Sequence, residues 1–233
     1  MKLSDFRGIK NSAQLSVLSV ENPHSDYYTV KMALENGVSW RPGEHGIFKL
    51  PGKTIEGRKW RAFSVASTPE EGFLLLGTRT GDTPSSYKRQ LINLKPGDKV
   101  DVRGPFGWFT MQDEITPVVM IAGGVGITPI RALLKSIKGS NQRQVDVLYA
   151  SGSHYLFEDD LKAVIDNDEN MTLHKTVKTP ETQHATLELA KKYGNSAYYY
   201  VSGNIGMIKD TKQLLKGEGI KGNRIINDPF LGY

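Results

Sequence analysis

The 233-residue sequence contains no cysteine, which excludes a disulfide, a thiolate zinc site and a Cys-ligated iron–sulfur cluster within it. If the chain moves electrons, another cofactor carries them. Its histidines, His24, His45, His154, His174 and His184, are scattered without metal-ligand spacing, so no metal is expected. Long apolar runs are scarce as well. The longest, PVVMIAGGVGITPIRALL over 117–134, is broken by three glycines and a Thr-Pro, which suits a strand, a tight loop and a helix better than a membrane span. The first residues, MKLSDFRGIKNSAQ, are polar and lack a signal-peptide pattern, so a cytoplasmic protein is expected. Nor is there a block of one charge. The net charge is +5, but Lys and Arg are spread along the chain, which argues against a nucleic-acid patch and leaves a mild preference for acidic partners.

The pattern of the chain changes once. From 13 to 103, short alternating or apolar segments (QLSVLSVE, YYTVKMAL, HGIFKL, RAFSVAS, FLLLGTR, DKVDVRG) recur between Gly, Pro and Asn clusters, the spacing of an antiparallel barrel or sandwich. One helix interrupts them at 84–94, with Ser85 as its cap and Tyr87, Leu91 and Leu94 at i, i+4 and i+7. After GPFGWFTMQDEIT the segments alternate as strand and helix, which predicts a parallel sheet covered by helices. The first of those helices is expected to have Thr128 as N-cap, Pro129 at its first position, Ile130, Leu133, Leu134 and Ile137 on one face, and Gly139 as its stop. The domain boundary falls near Asp113.

Three glycine-bearing stretches invite a phosphate reading. PGKT (51–54) fails it, because a phosphate loop needs glycine at position 47, which is Ile47. AGGVGITP (122–129) follows a strand and opens a helix, the place where a doubly wound sheet holds ligands. It lacks the third glycine of the dinucleotide fingerprint, Pro129 standing there, and a turn that binds nothing is the alternative. VSGNIGM (201–207) repeats the arrangement at a later strand. Ser202 there is either a ligand contact or a small residue permitting close packing.

RAFSVAS (61–67) mixes a cation, an aromatic ring and hydroxyls, and with it the sequence resembles the ferredoxin–NADP reductase family of flavoproteins. Arg61, Phe63, Ser64 and Ser67 fit that family's R-x-[YF]-S-x-x-[ST] strand. RPGEHGIFKL (41–50) is similar to its P-G-Q-[YH] strand, with Glu44 replacing Gln, and SSYKRQLINLKPGDKVDVRGPFGWF (85–109), IAGGVGITP, VSGNIGM and the tail NDPFLGY follow in the family's order. The resemblance covers nearly the whole chain. It implies an FAD-binding antiparallel Greek-key β-barrel over 1–112 and an NAD(P)-binding doubly wound α/β domain over 113–233, without an iron–sulfur domain.

The resemblance also implies roles. Arg61 would hold the flavin pyrophosphate through its planar donor fork, supported by Ser85 and Ser86 at a helix start, with Ser67 also at the cofactor. Phe63 would cover one face of the isoalloxazine, lacking the hydroxyl of the commoner Tyr, and Ser64 would hydrogen-bond flavin N5, the atom that receives hydride. Gly123, Gly124 and Gly126 are assigned to the nucleotide pyrophosphate, with Thr128 near the cofactor. Ser202 stands where many relatives have Cys beside the reacting carbon, a departure that loosens nicotinamide positioning. Asp228 matches an acidic residue near the flavin, and Phe230 or Tyr233 matches the stacking ring. A buried last strand is the alternative for that tail.

The reading that results is an FAD-dependent reductase: NAD(P)H gives hydride to the flavin, with Ser64, Ser202 and Asp228 at the chemistry, and electrons pass to an external acceptor. A ferredoxin, a flavodoxin, a partner subunit or free flavin would serve, and the positive net charge suits an acidic electron-transfer protein. Donor choice stays open, since YASGSHYLFEDD offers Ser151, Ser153 and His154 but no Arg, and Lys178 follows the next strand. Two other readings stand: an electron-transfer subunit of a larger flavoprotein complex, and a non-catalytic flavin- or nucleotide-binding module.

Overall fold

The computed structural model describes residues 3–34, 38–137 and 143–228. The chain divides into two compact units, Met1–Thr110 and Met111–Tyr233.

In the first unit, β1 (Ser12–His24), β2 (Tyr27–Ala33), β3 (His45–Lys49), β4 (Trp60–Ser64), β5 (Phe73–Arg79) and β6 (Lys99–Phe106) form an antiparallel sheet in the order β4-β3-β6-β1-β2-β5. Alternation builds its interior. Leu15 and Val17 of β1, Val30 and Met32 of β2, Phe48 of β3, Leu74 and Leu76 of β5, and Val100 and Val102 of β6 are buried in one cluster. The sheet closes into a barrel just past β4, where the Ala66 amide donates to the Leu75 carbonyl (2.8 Å) and the Leu75 amide to Ser67 Oγ (3.0 Å).

Ser67, which the resemblance places at the cofactor, lies in that closure and is 0% exposed. Its hydroxyl accepts from Leu75 and donates to the Phe73 carbonyl (2.8 Å), while its own carbonyl accepts from Trp40 Nε1 (2.8 Å). A buried hydroxyl so engaged is a barrel seam. The helix α1 (Ser86–Ile92) matches its expected cap: Ser85 Oγ accepts from the Lys88 amide (3.3 Å), and Tyr87, Leu91 and Leu94 are buried.

In the second unit, β7 (Val118–Gly123), β8 (Val145–Ala150), β9 (Met171–Thr176), β10 (Tyr198–Ser202) and β11 (Ile225–Asn227) form a parallel sheet in the order β11-β10-β7-β8-β9. The helices α2 (Ile127–Ile137), α3 (Glu158–Ile165), α4 (Thr179–Tyr193) and α5 (Ile205–Gly217) connect the strands. Central β7 is buried along Val118–Ala122, as a strand covered on both faces must be.

The start of α2 differs from expectation. A 3-10 turn over Gly124–Gly126 runs straight into the helix at Ile127, so Thr128 lies inside the helix and its hydroxyl donates back to the Val125 carbonyl (2.6 Å). The glycines let the chain begin coiling before Thr128, which removes the need for a hydroxyl cap. The expected stop, Gly139, lies outside the described residues.

A buried ionic cluster ties β8 to α4 and β9. Asp146, 2% exposed, accepts from His174 Nε2 (2.6 Å), Tyr193 Oη (2.6 Å) and Lys192 Nζ (3.0 Å). Burial alone would raise its pKa, but these hydrogen bonds and the Lys192 charge outweigh it and hold the carboxyl at about 2. Because the folded value is depressed, its stabilisation is present above the unfolded value near 4 and is lost as pH falls toward 2. The wild-type advantage over Asp146→Asn should therefore be about 2 kcal/mol near neutrality and fade between pH 4 and 2, as followed by denaturant unfolding across that range.

Candidate functional site

In the first unit, the expected flavin strand is β4, and its residues divide by face. Arg61 and Phe63 point into the barrel. The Arg61 guanidinium donates from Nη1 to the carbonyls of Arg58 (2.8 Å) and Trp60 (2.9 Å) and lies 5.3 Å from the Tyr87 ring. The Phe63 ring is 7% exposed and packs against Phe48 (5.9 Å) and Tyr87 (6.3 Å). Phe63, which the resemblance sets against one face of the isoalloxazine, thus also belongs to the barrel core, because an inward position of a closed sheet is apolar by construction.

Sequence reasoning missed Lys88. It sits in the first turn of α1, its ammonium donating to the Arg79 carbonyl (2.5 Å), and its pKa is lowered first by burial and then by the Arg61 charge. The Arg61 charge disfavours the Lys88 ammonium, and an anion bound beside it relieves that penalty. Ser85 and Ser86 open the same helix, Ser86 Oγ accepting from the Glu56 amide (3.1 Å). The signal that could have found Lys88 is its place two residues after Ser86, on a helix already assigned to the pyrophosphate.

Ser64 ends β4 directly opposite His45 of β3, whose other neighbour is Phe106. Opposed residues of antiparallel strands share a face, so His45 and Ser64 stand side by side. The His45 ring lies 4.6 Å from Phe106, and burial lowers its pKa to about 4, which leaves it neutral at physiological pH. Glu44, in place of the family's Gln, accepts from the Arg41 amide (3.0 Å) and Arg41 Nε (2.8 Å), and so braces the turn that aims His45.

In the second unit, the two glycine loops lie at the C-terminal ends of the adjacent strands β7 and β10. The structure separates the glycines by task. A Cβ on Gly126 would run into the Ser202 carbonyl and the Gly203 nitrogen, the latter at 2.6 Å, and one on Gly123 would meet Met207 Sδ. Those two let the loops cross. Gly124, with φ +52, has nothing within 4 Å of such a Cβ. It is the left-handed position of the turn, open on its side-chain side. Asn204, unassigned from sequence, caps α5 by accepting from the Met207 amide (2.9 Å), and an Asn preceding an apolar helix was the available signal.

Ser202 and Asp228 come together. Ser202 is 0% and Asp228 2% exposed, and Ser202 Oγ donates to Asp228 Oδ2 (3.1 Å). Asp228 follows β11 and is held by its amide on the Val201 carbonyl (3.0 Å). Phe230 and Tyr233 lie outside the described residues.

The two halves are a β-barrel unit and a parallel α/β unit with glycine loops at its strand ends. Residues 120–213 match the family "oxidoreductase NAD-binding domain". The chain is 29% identical over 222 residues to one subunit of the Na(+)-translocating NADH-quinone reductase of Shewanella denitrificans, covering 81% of this chain and 53% of that protein. It is 25% identical over 225 residues to the toluate 1,2-dioxygenase electron transfer component of Pseudomonas putida, covering 91% and 63%. The chain thus spans roughly half of such relatives. A crystal structure of a variant of ferredoxin–NADP+ reductase from Plasmodium falciparum superposes with a TM-score of 0.79 at 17% identity, covering 94% of this chain and 96% of that one. The chain shares the fold of ferredoxin–NADP+ reductase. Among the described residues, no helix is long and apolar enough to cross a membrane.

Proposed function

We propose that this chain is an NAD(P)H-dependent flavoprotein reductase that passes electrons to a separate acceptor. The observation that supports it most is the likeness to ferredoxin–NADP+ reductase across both units, joined to the oxidoreductase NAD-binding match over 120–213. The residues fit FAD at its charged end: the Arg61 and Lys88 cations, one disfavoured by the other, suit a diphosphate, with Ser85 and Ser86 beside them. FAD, when bound, accepts hydride at N5 and releases electrons onward.

Each residue then has a physical task. Arg61 and Lys88 neutralise the diphosphate. Phe63 backs the site from inside the barrel. Ser64 would hydrogen-bond the flavin at N5, with the neutral His45 ring beside it excluding water. On the nucleotide side, Gly124 leaves room for the pyrophosphate, while Gly123 and Gly126 hold the two loops together and Thr128 fixes the start of α2. Ser202 positions the nicotinamide, and Asp228 orients the Ser202 hydroxyl and offers a proton route. Phe230 or Tyr233 supplies the stacking ring.

The acceptor is external, an acidic electron-transfer protein or a partner subunit, and the protein acts in the cytoplasm. A second reading, an electron-transfer subunit of a larger complex, is favoured by the likeness to a component of an NADH-quinone reductase of which this chain spans about half. Low turnover with every soluble acceptor and co-purification of another chain would select it.

The first test is an anaerobic visible spectrum of the protein with FAD, before and after NADH or NADPH. Bleaching of the bound-flavin band by a nucleotide is the expected result; a bound flavin that stays oxidised with both would overturn the reductase. Ser64→Ala should retain flavin but slow its reduction about tenfold, the kinetic equivalent of one hydrogen bond at the reacting atom. Unchanged stopped-flow reduction would remove Ser64 from N5.

A further inference from the structure

Which nucleotide the α/β unit accepts is decided where β8 and β9 end. In open α/β sheets, discrimination between a ribose 2′-hydroxyl and a 2′-phosphate falls to side chains beyond the second strand, a cation being needed for the phosphate. Here that strand is β8, and residues 151–160 after it carry Glu158, Asp159 and Asp160 with no Lys or Arg. The Ser151 hydroxyl is turned into its own loop, donating to the His154 carbonyl (2.5 Å).

The neighbouring strand β9 does offer a cation, Lys175, next to last in the strand and level with Tyr149 of β8. Its ammonium is already engaged. It donates to Glu158 Oε1 (2.7 Å) and lies 4.5 Å from the centre of the Tyr155 ring, while Tyr155 is anchored by its hydroxyl on the Thr176 carbonyl (2.9 Å). Glu158 also takes Lys162 Nζ (2.8 Å). Beyond β9, the Lys178 and Val177 amides both donate to Glu181 Oε2 (3.1 and 3.2 Å), which puts a carboxylate beside the next cation as well. Asp160, at the start of the same helix, is paired with Arg131 Nε (2.7 Å) and Lys135, so a 2′-phosphate arriving here would have to displace Glu158 from Lys175, whereas a 2′-hydroxyl requires no cation.

We propose that the protein selects the non-phosphorylated dinucleotide, NADH, and that Glu158 is the specificity-determining residue through its pairing with Lys175. This rests on the reductase reading above and adds the donor to it. The pair acts by subtraction: Glu158 takes from the site the cation that a 2′-phosphate requires.

The test is calorimetric titration of the flavin-loaded protein with NAD+ and with NADP+, so that no hydride transfer intervenes, for wild type, Glu158→Gln, Lys175→Gln and the double variant. Wild type should bind NAD+ about tenfold or more tightly than NADP+. Glu158→Gln should tighten NADP+ several-fold with NAD+ little changed, and this gain should vanish in the double variant and shrink with added salt. A Glu158→Gln effect confined to thermal stability, with the nucleotide ratio unmoved, would overturn the role of Glu158. Equal or tighter binding of NADP+ by wild type would overturn NADH selection while leaving the reductase intact. Binding of neither nucleotide would overturn both.

Discussion

Gly126→Ala is expected to destabilise the α/β unit by about 3 kcal/mol, the upper range for a group forced into filled space, and to weaken nicotinamide nucleotide binding at least tenfold. The atoms in the way are backbone: the Ser202 carbonyl, and the Gly203 nitrogen at 2.6 Å. No rotamer change relieves such a contact. The loops after β7 and β10 would have to part, although their strands are locked in register up to Ala122 and Ser202. Gly124→Ala is the control for stability alone, since Gly124 is itself assigned to the pyrophosphate. It meets no protein atom within 4 Å and carries only the strain of φ +52, about 1 kcal/mol. Thermal unfolding distinguishes the two, and equal losses of stability in both variants would contradict the crossing-loop account.

Arg61→Ala should lower flavin affinity about a hundredfold, the magnitude of truncating a charge-assisted contact to a buried phosphate. Arg61→Lys should recover little of it, because Nη1 alone serves the Arg58 and Trp60 carbonyls, and a single ammonium making those bonds has too few donors left for a diphosphate. Lys88→Met, which keeps most of the apolar stem, should lose about tenfold. Flavin retained on a sizing column, quantified at its visible band, reads the effect. Unfolding of the flavin-free variants separates it from the loss of the two carbonyl contacts. Full occupancy in Arg61→Ala would remove the pyrophosphate assignment.

Much of the fold was legible because the relevant signals are local. The two-residue period of Leu15 and Val17, the Ser85 cap and the Tyr87 and Leu91 spacing each reside within a few positions, and the structure buries those residues as their spacing predicts. The site was legible in part. Ser202 and Asp228 were both singled out, but their hydrogen bond joins positions 26 residues apart and depends on β10 and β11 lying side by side. Thr128 misled for the opposite reason: a residue suited to capping stands one turn too late once glycines let the helix start earlier.

The sequence by itself determined the class of the protein. Its hydrophobic periods set a barrel followed by a parallel sheet, its glycines set the turns, and its lack of cysteine removed thiolate cofactors from consideration, all properties of residue type and near spacing. The tertiary structure alone decided which chemically equivalent residue does what. Ser67 and Ser64 are both hydroxyls on one segment, yet strand closure makes the first a seam to Phe73 and Leu75 and leaves the second opposite His45. The same holds for Lys175, a surface cation in sequence, which only the packing of β9 against the start of α3 joins to Glu158. A side chain's chemistry is written in the chain, but its partner is set by register and burial, and these are fixed by the whole sheet at once.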